Sequence, residues 1–195
     1  MQVRHLIAAS LIPFLFSSMA WSQGMEHLKK DVGDWNAELR MFEPGSDNVT
    51  KTKGTEHNAM LGDMWLISHF KGEMMGQPFE GASYTGFNVN TGKYFGDWID
   101  SMTPTPMKVE GTWDEKSQTM TSIGTGAGPD GNEMKMKMVT VRNKDGSRLF
   151  TMSMMVEGSP DMRMMEIHYT RAEDQQPAAP AAPKTPTVPR GGDTK

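Results

Sequence analysis

The stretch Glu133–Met154, EMKMKMVTVRNKDGSRLFTMSM, decides the fold. Met134, Met136 and Met138 alternate with Lys135 and Lys137. That period of two puts thioethers on one face of a strand and charge on the other. Asp145-Gly146 is the dipeptide of a tight antiparallel hairpin, whose turn needs positive φ. Met152 and Met154 resume the alternation on the returning strand, and Met162 and Met164 carry it further beyond Gly158-Ser159-Pro160. Three neighbouring strands with their methionines on a common face predict a meander with an inner surface of sulfur and methylene.

The same period extends upstream. Trp35, Ala37, Leu39 and Met41 alternate with Asn36, Glu38 and Arg40. Val49–Met60 reads as a long polar strand, and Met64–Phe70 as an apolar one buried on both faces. Further strands are expected over Phe79–Asn88, Lys93–Asp100, Met107–Asp114, Thr119–Gly124, Glu133–Asn143, Arg148–Glu157 and Met162–Arg171. Pro44–Asn48, Asn90-Thr91-Gly92 and Asp130-Gly131 carry turn chemistry between them. Gly124–Gly128 reads as a glycine-rich hairpin loop. Ahead of the first strand, Met25, Leu28, Val32 and Trp35 recur at spacings of three and four, which predicts a short helix ended by Gly33. About ten strands without crossover helices predict an all-β antiparallel meander. Closure removes the exposed edges, so the expected form is a lipocalin-like (calycin) barrel with a short N-terminal helix. A two-sheet sandwich is the alternative.

Residues 1–20 have the three parts of a secretory leader. These are Arg4 and His5, the short apolar run Leu6–Phe16, and small residues at Ser18 and Ala20. The run is shorter than the roughly 20 residues of a membrane-spanning helix. The sequence therefore predicts export, to the periplasm or beyond, with no membrane span. Residues 173–195, with five prolines from Gln175 onward, predict a disordered Pro/Ala-rich tail. The barrel domain is expected over residues 25–172. No cysteine is present, so an exported domain must hold together by packing alone. The net charge is −4 with both signs interspersed, which argues against a nucleic-acid partner.

Several segments together carry a resemblance. They are His27-Leu28 with Val32-Gly33-x-Trp35, Gly54-Thr55-Glu56, Trp65-Leu66, and the run Gly72-Glu73-Met74-Met75-Gly76-x-Pro78-Phe79-Glu80-Gly81. Tyr84-x-Gly86-Phe87-Asn88, Trp98–Met102, Gly111-Thr112 and the closing Tyr169-Thr170-Arg171 complete the set. The chain resembles the bacterial family called domain of unknown function 1579 (DUF1579) over nearly all of Met25–Arg171. The resemblance implies a lipocalin-like barrel and supplies no catalytic residues.

Catalytic motifs are sparse. Gly81-Ala82-Ser83-Tyr84-Thr85 lacks the second glycine of an acyl-transfer elbow and lies in a strand pattern. Thiol chemistry is excluded. No Gly-Lys-Ser/Thr follows Gly124–Gly128, so no phosphate loop is expected. Asp100 shares a strand face with Trp98, and an indole beside a buried carboxyl would raise its pKa toward acid–base use. The plainer role for Asp100 is capping a strand end. His69, with Glu166 and His168, would converge if all three faced the lumen. No histidine spacing marks a metal site, and no cofactor is expected.

Methionine is the compositional anomaly: there are 20, of which only Met1 and Met19 fall in the leader. The expected lining is Met136, Met138, Met152, Met154 and Met164, with Trp65, Trp98 and His69. Flexible thioethers fill an ordinary core, form a deformable apolar pocket, or ligate Cu(I). The favoured reading is a small apolar ligand inside the barrel. An enzyme using Asp100, His69 or His168 is the second, and a structural or interaction module acting through its outer face and tail is the third.

Overall fold

The computed structural model describes residues 24–128 and 131–172. The expected leader over residues 1–20 and tail over residues 173–195 lie outside these. Ten strands follow a short helix at residues 24–29. They are β1 (Gly33–Phe42), β2 (Val49–Leu61), β3 (Trp65–Met74), β4 (Gln77–Asn88) and β5 (Lys93–Asp100), then β6 (Met107–Asp114), β7 (Thr119–Ala127), β8 (Glu133–Arg142), β9 (Arg148–Met154) and β10 (Met162–Arg171). Each pairs antiparallel with the next. β1 pairs with β10 from Trp35 opposite Arg171 to Met41 opposite Met165, which closes the barrel. Closure leaves no unpaired edge among these strands.

Alternation sets what each strand sends inward. In β1 the buried Trp35, Ala37 and Leu39 alternate with exposed residues. They join Phe70, Phe79, Ile167 and Tyr169 in one apolar cluster across the lumen. A second cluster, Met25, Leu28, Leu66 and Tyr94, lies beneath the helix and plugs one end of the barrel. Tyr94 Oη donates to the Gly24 carbonyl at 2.9 Å, and Arg171 Nη2 donates to the Lys30 carbonyl at 2.6 Å. These bonds seat the plug on the barrel wall. The opposite end carries residues 43–48, 75–76, 101–106 and 155–161 as connections.

Four expectations change. The helix ends at residue 29, short of the expected stop at Gly33; a turn at residues 30–31 leads into β1, where Gly33 has φ 116°, and Val32 is left exposed. Met64–Phe70 is not buried on both faces: Leu66 and Phe70 point inward, whereas His69 is exposed on the outside. Gly124 and Gly126 are not loop residues but part of β7. A Cβ at Gly124 would lie 2.6 Å from Met107 Sδ, so this glycine makes room for an inward side chain. Finally, the register of β10 on β9 shifts between Arg163 and Met165. Such a bulge inserts one residue and exchanges the faces beyond it. Met165, not Met164, therefore faces the lumen with Ile167 and Tyr169.

Candidate functional site

Above the plug the lumen opens into a cavity of about 520 Å³. That lies within the roughly 300–1,000 Å³ typical of small-ligand sites. β8 contributes Met134, Met136 and Met138, β9 contributes Phe150 and Met152, and β10 contributes Met165. Across the lumen stand Met74, Phe79, Trp98 and Met107. Phe79 stacks on Trp98 with ring centroids 6.4 Å apart. The indole of Trp98 lies over Gly81, where no Cβ intervenes. The wall is thus made of side chains that are apolar and, for the thioethers, deformable.

The floor is polar and buried. Arg148, 7% exposed, donates from Nη2 to Glu56 Oε1 at 2.8 Å. Its guanidinium carbon lies 3.9 Å from the Trp35 ring centroid and 4.6 Å from that of Tyr169. Asn58 Nδ2 also donates to Glu56, at 2.7 Å. Asp31 accepts from Arg142 Nη2 at 2.9 Å and lies 3.5 Å from Arg148 Nη1. Burial above all, with the carboxylate of Glu56 beside it, holds the Tyr169 hydroxyl well above its ordinary pKa. Burial likewise pushes Tyr94 up to about 12. Both phenols are neutral donors at any physiological pH.

Trp98, Met136, Met138 and Met152 of the expected lining stand in the cavity wall, and Asp100 stands there with them. Asp100, however, is occupied: it accepts from Trp98 Nε1 at 3.0 Å and from the amides of Met102 and Thr103 at 2.9 and 2.8 Å. It caps the end of β5 and orients the indole, which is the plainer of its two roles. Met154 continues the inward alternation of β9, paired with Met136 and Met162, but stands beyond the cavity lining. Met164 is displaced by the bulge.

Three residues expected inside are outside. Trp65 packs edge-on against Tyr84 and Phe95, at 5.7 and 5.6 Å, over Gly86. His69 is exposed, and His168 is exposed opposite Glu38 on β1. Glu166 bonds Arg40 and Arg163 at 3.1 and 2.8 Å. His69, Glu166 and His168 therefore do not converge, because β3 and β10 both turn these residues outward. Sequence reasoning missed Arg148 and Glu56. Arg148 shares the odd-even set of Phe150-less-two and Met152-less-four along β9, so alternation alone marks it as inward-facing.

The family described as "Protein of unknown function (DUF1579)" matches residues 22–171. No curated protein matches the chain. The chain is similar to several solved structures, two of which illustrate the likeness. Rv2717c from M. tuberculosis is 13% identical, with a TM-score of 0.56 over 76% of this chain and 97% of that one. The S-type phycobiliprotein lyase CPES from Guillardia theta is 9% identical, with a TM-score of 0.54 over 80% of this chain and 98% of that one. At these identities the likeness concerns the fold.

Proposed function

The chain belongs to the DUF1579 family of proteins of unknown function, and from that premise we propose that its barrel binds a small, largely apolar molecule. The observation that carries this reading is the cavity of about 520 Å³ walled by methionine, phenylalanine and tryptophan. A lumen of that size lined by thioethers accepts varied apolar shapes, since methionine reorganises at little cost. The carboxylate of Asp100, at the end of β5, is already engaged by three donors. Binding is therefore favoured over catalysis. The leader pattern of Arg4 and Leu6–Phe16 supports placing this activity outside the cytoplasm.

The test is titration of the folded protein with an environment-sensitive apolar fluorophore, followed by displacement with a long-chain alcohol. Saturable enhancement and displacement are expected. Changing Met136 and Met152 together to Leu should preserve both, because Leu keeps the apolar volume at a cost usually under about 1.5 kcal/mol per site. Absence of saturable binding to the wild type overturns the reading. If instead the protein takes up Cu(I) and the double variant does not, the sulfurs act as ligands and the apolar reading fails.

A further inference from the structure

The interior continues below the apolar cavity. A chamber of about 170 Å³ lies between the cavity and the N-terminal helix. At about 30 Å³ per water, it has room for a carboxylate group together with a few waters. Arg148 lines both spaces, together with Thr85, Gly96, Val109 and Thr140, so the two compartments meet at its guanidinium.

The chamber sets charged groups among apolar neighbours such as Leu28, Leu66, Trp113 and Met120. His27, Asp31, Ser122, Thr140 and Arg142 contribute to its wall. Among the described residues, three buried side-chain nitrogens around it have no hydrogen-bond partner: Arg142 Nη1, Arg148 Nε and His27 Nδ1. A buried guanidinium N–H without an acceptor is costly, so such groups mark a place where an acceptor belongs. The nearest carboxylates are already engaged. Glu56 accepts from Arg148 and Asn58, and Asp31 accepts from Arg142.

The buried charges balance: Arg142 and Arg148 face the carboxylates of Asp31 and Glu56, while Arg171 is exposed at the surface, so the unpartnered N–H groups, not a net charge, call for an acceptor. His27 adds no charge at neutral pH, because burial lowers its pKa against the opposing pull of Glu115. Glu115 itself is mostly exposed, 3.1 Å from His27 Nε2, on the outer side of the imidazole.

We infer that this chamber receives the carboxylate head of an amphipathic acid whose apolar body fills the methionine-lined cavity. The inference rests on the reading of that cavity as a ligand site. Arg142 Nη1 and Arg148 Nε are the donors that the carboxylate would accept from. Such bonds are charge-assisted and stronger than neutral ones.

Dodecanoate and dodecanol, which share a chain and differ in the head, test this at neutral pH. Each is titrated against the fluorophore-loaded wild-type protein. Dodecanoate should displace the probe at a concentration lower by a factor of about ten or more, the scale of a charge-assisted hydrogen bond. Arg142→Gln should bring the two concentrations together by weakening dodecanoate, and Arg142→Lys should restore part of the difference. The wild-type comparison stands even if a variant fails to fold. Displacement by dodecanol as well as or better than by dodecanoate overturns the inference and leaves the apolar site intact. Displacement by neither overturns both.

Discussion

Arg148 and Glu56 are a charged pair in a β-barrel lumen, with side chains only 8% and 12% exposed. Removing one partner strands the other without solvent, whereas removing both need not cost much. Glu56→Ala should therefore lower the unfolding free energy by about 3–5 kcal/mol in urea denaturation. The double variant Glu56→Met with Arg148→Met should recover much of that loss. A double variant as unstable as the single one would show that the pair is essential to packing in its own right. His27 gives a second residue-scale prediction. Its folded pKa lies below the ordinary 6.5, mainly through burial, so between those values the unfolded chain binds the proton and the folded chain does not. Stability from this source is complete above about pH 6.5 and declines as pH falls toward the folded pKa. From about pH 7 to 5.5, above the range where carboxylates titrate, wild-type stability should fall more steeply than that of His27→Phe. Parallel curves would contradict the assignment.

At the scale of elements, glycine in strands decides where large side chains lie. Gly81 in β4 sits directly beneath the indole of Trp98, with no room for a Cβ. Gly81→Val should displace that indole from Phe79 and from Asp100, at the cost of about 1–3 kcal/mol typical of overpacking. Thermal melting measures the cost, and a shift in tryptophan emission reports the displacement. An unchanged melting temperature would mean that the indole has another resting place. β10 shows where reading by period reaches its end. Met162 and Met164 look like one more inward pair, continuing Met152 and Met154. The bulge after Arg163 inserts a residue, so the inward set becomes Met165, Ile167 and Tyr169. Nothing local in Met162-Arg163-Met164-Met165 announces a bulge. What selects it is the partner strand β9 and the burial gained by Ile167 and Tyr169 next to Trp35 and Leu39.

For the whole molecule, the closed barrel depends on pairing between β1 and β10, which ends at Arg171. Residues 175–195 follow that closure and carry five prolines and few apolar groups. Their deletion should leave the melting temperature within about 2 °C, because surface changes away from the core seldom exceed about 0.5 kcal/mol. A larger drop would show that the segment docks on the barrel.

The order and number of strands, their turns and the all-β class follow from the sequence by itself. A period of two and positive-φ turn residues such as Gly92 and Gly146 are local properties, set by the backbone of each segment. The sequence likewise groups Met134, Met136 and Met138 on one face. It does not say which face becomes the lumen when both are apolar. In β3, Trp65, Ile67, Leu66 and Phe70 are all eligible, and curvature turned Leu66 and Phe70 inward and Trp65 outward against Tyr84 and Phe95. Nor does it reveal that Arg148, Glu56, Asp31 and Arg142 meet, since they come from β9, β2, the segment before β1, and β8. A buried charge is tolerated only when a counter-charge arrives from elsewhere in the chain; the β8–β9 hairpin sets Arg142 opposite Arg148, and closure of the barrel brings Glu56 and Asp31 to them.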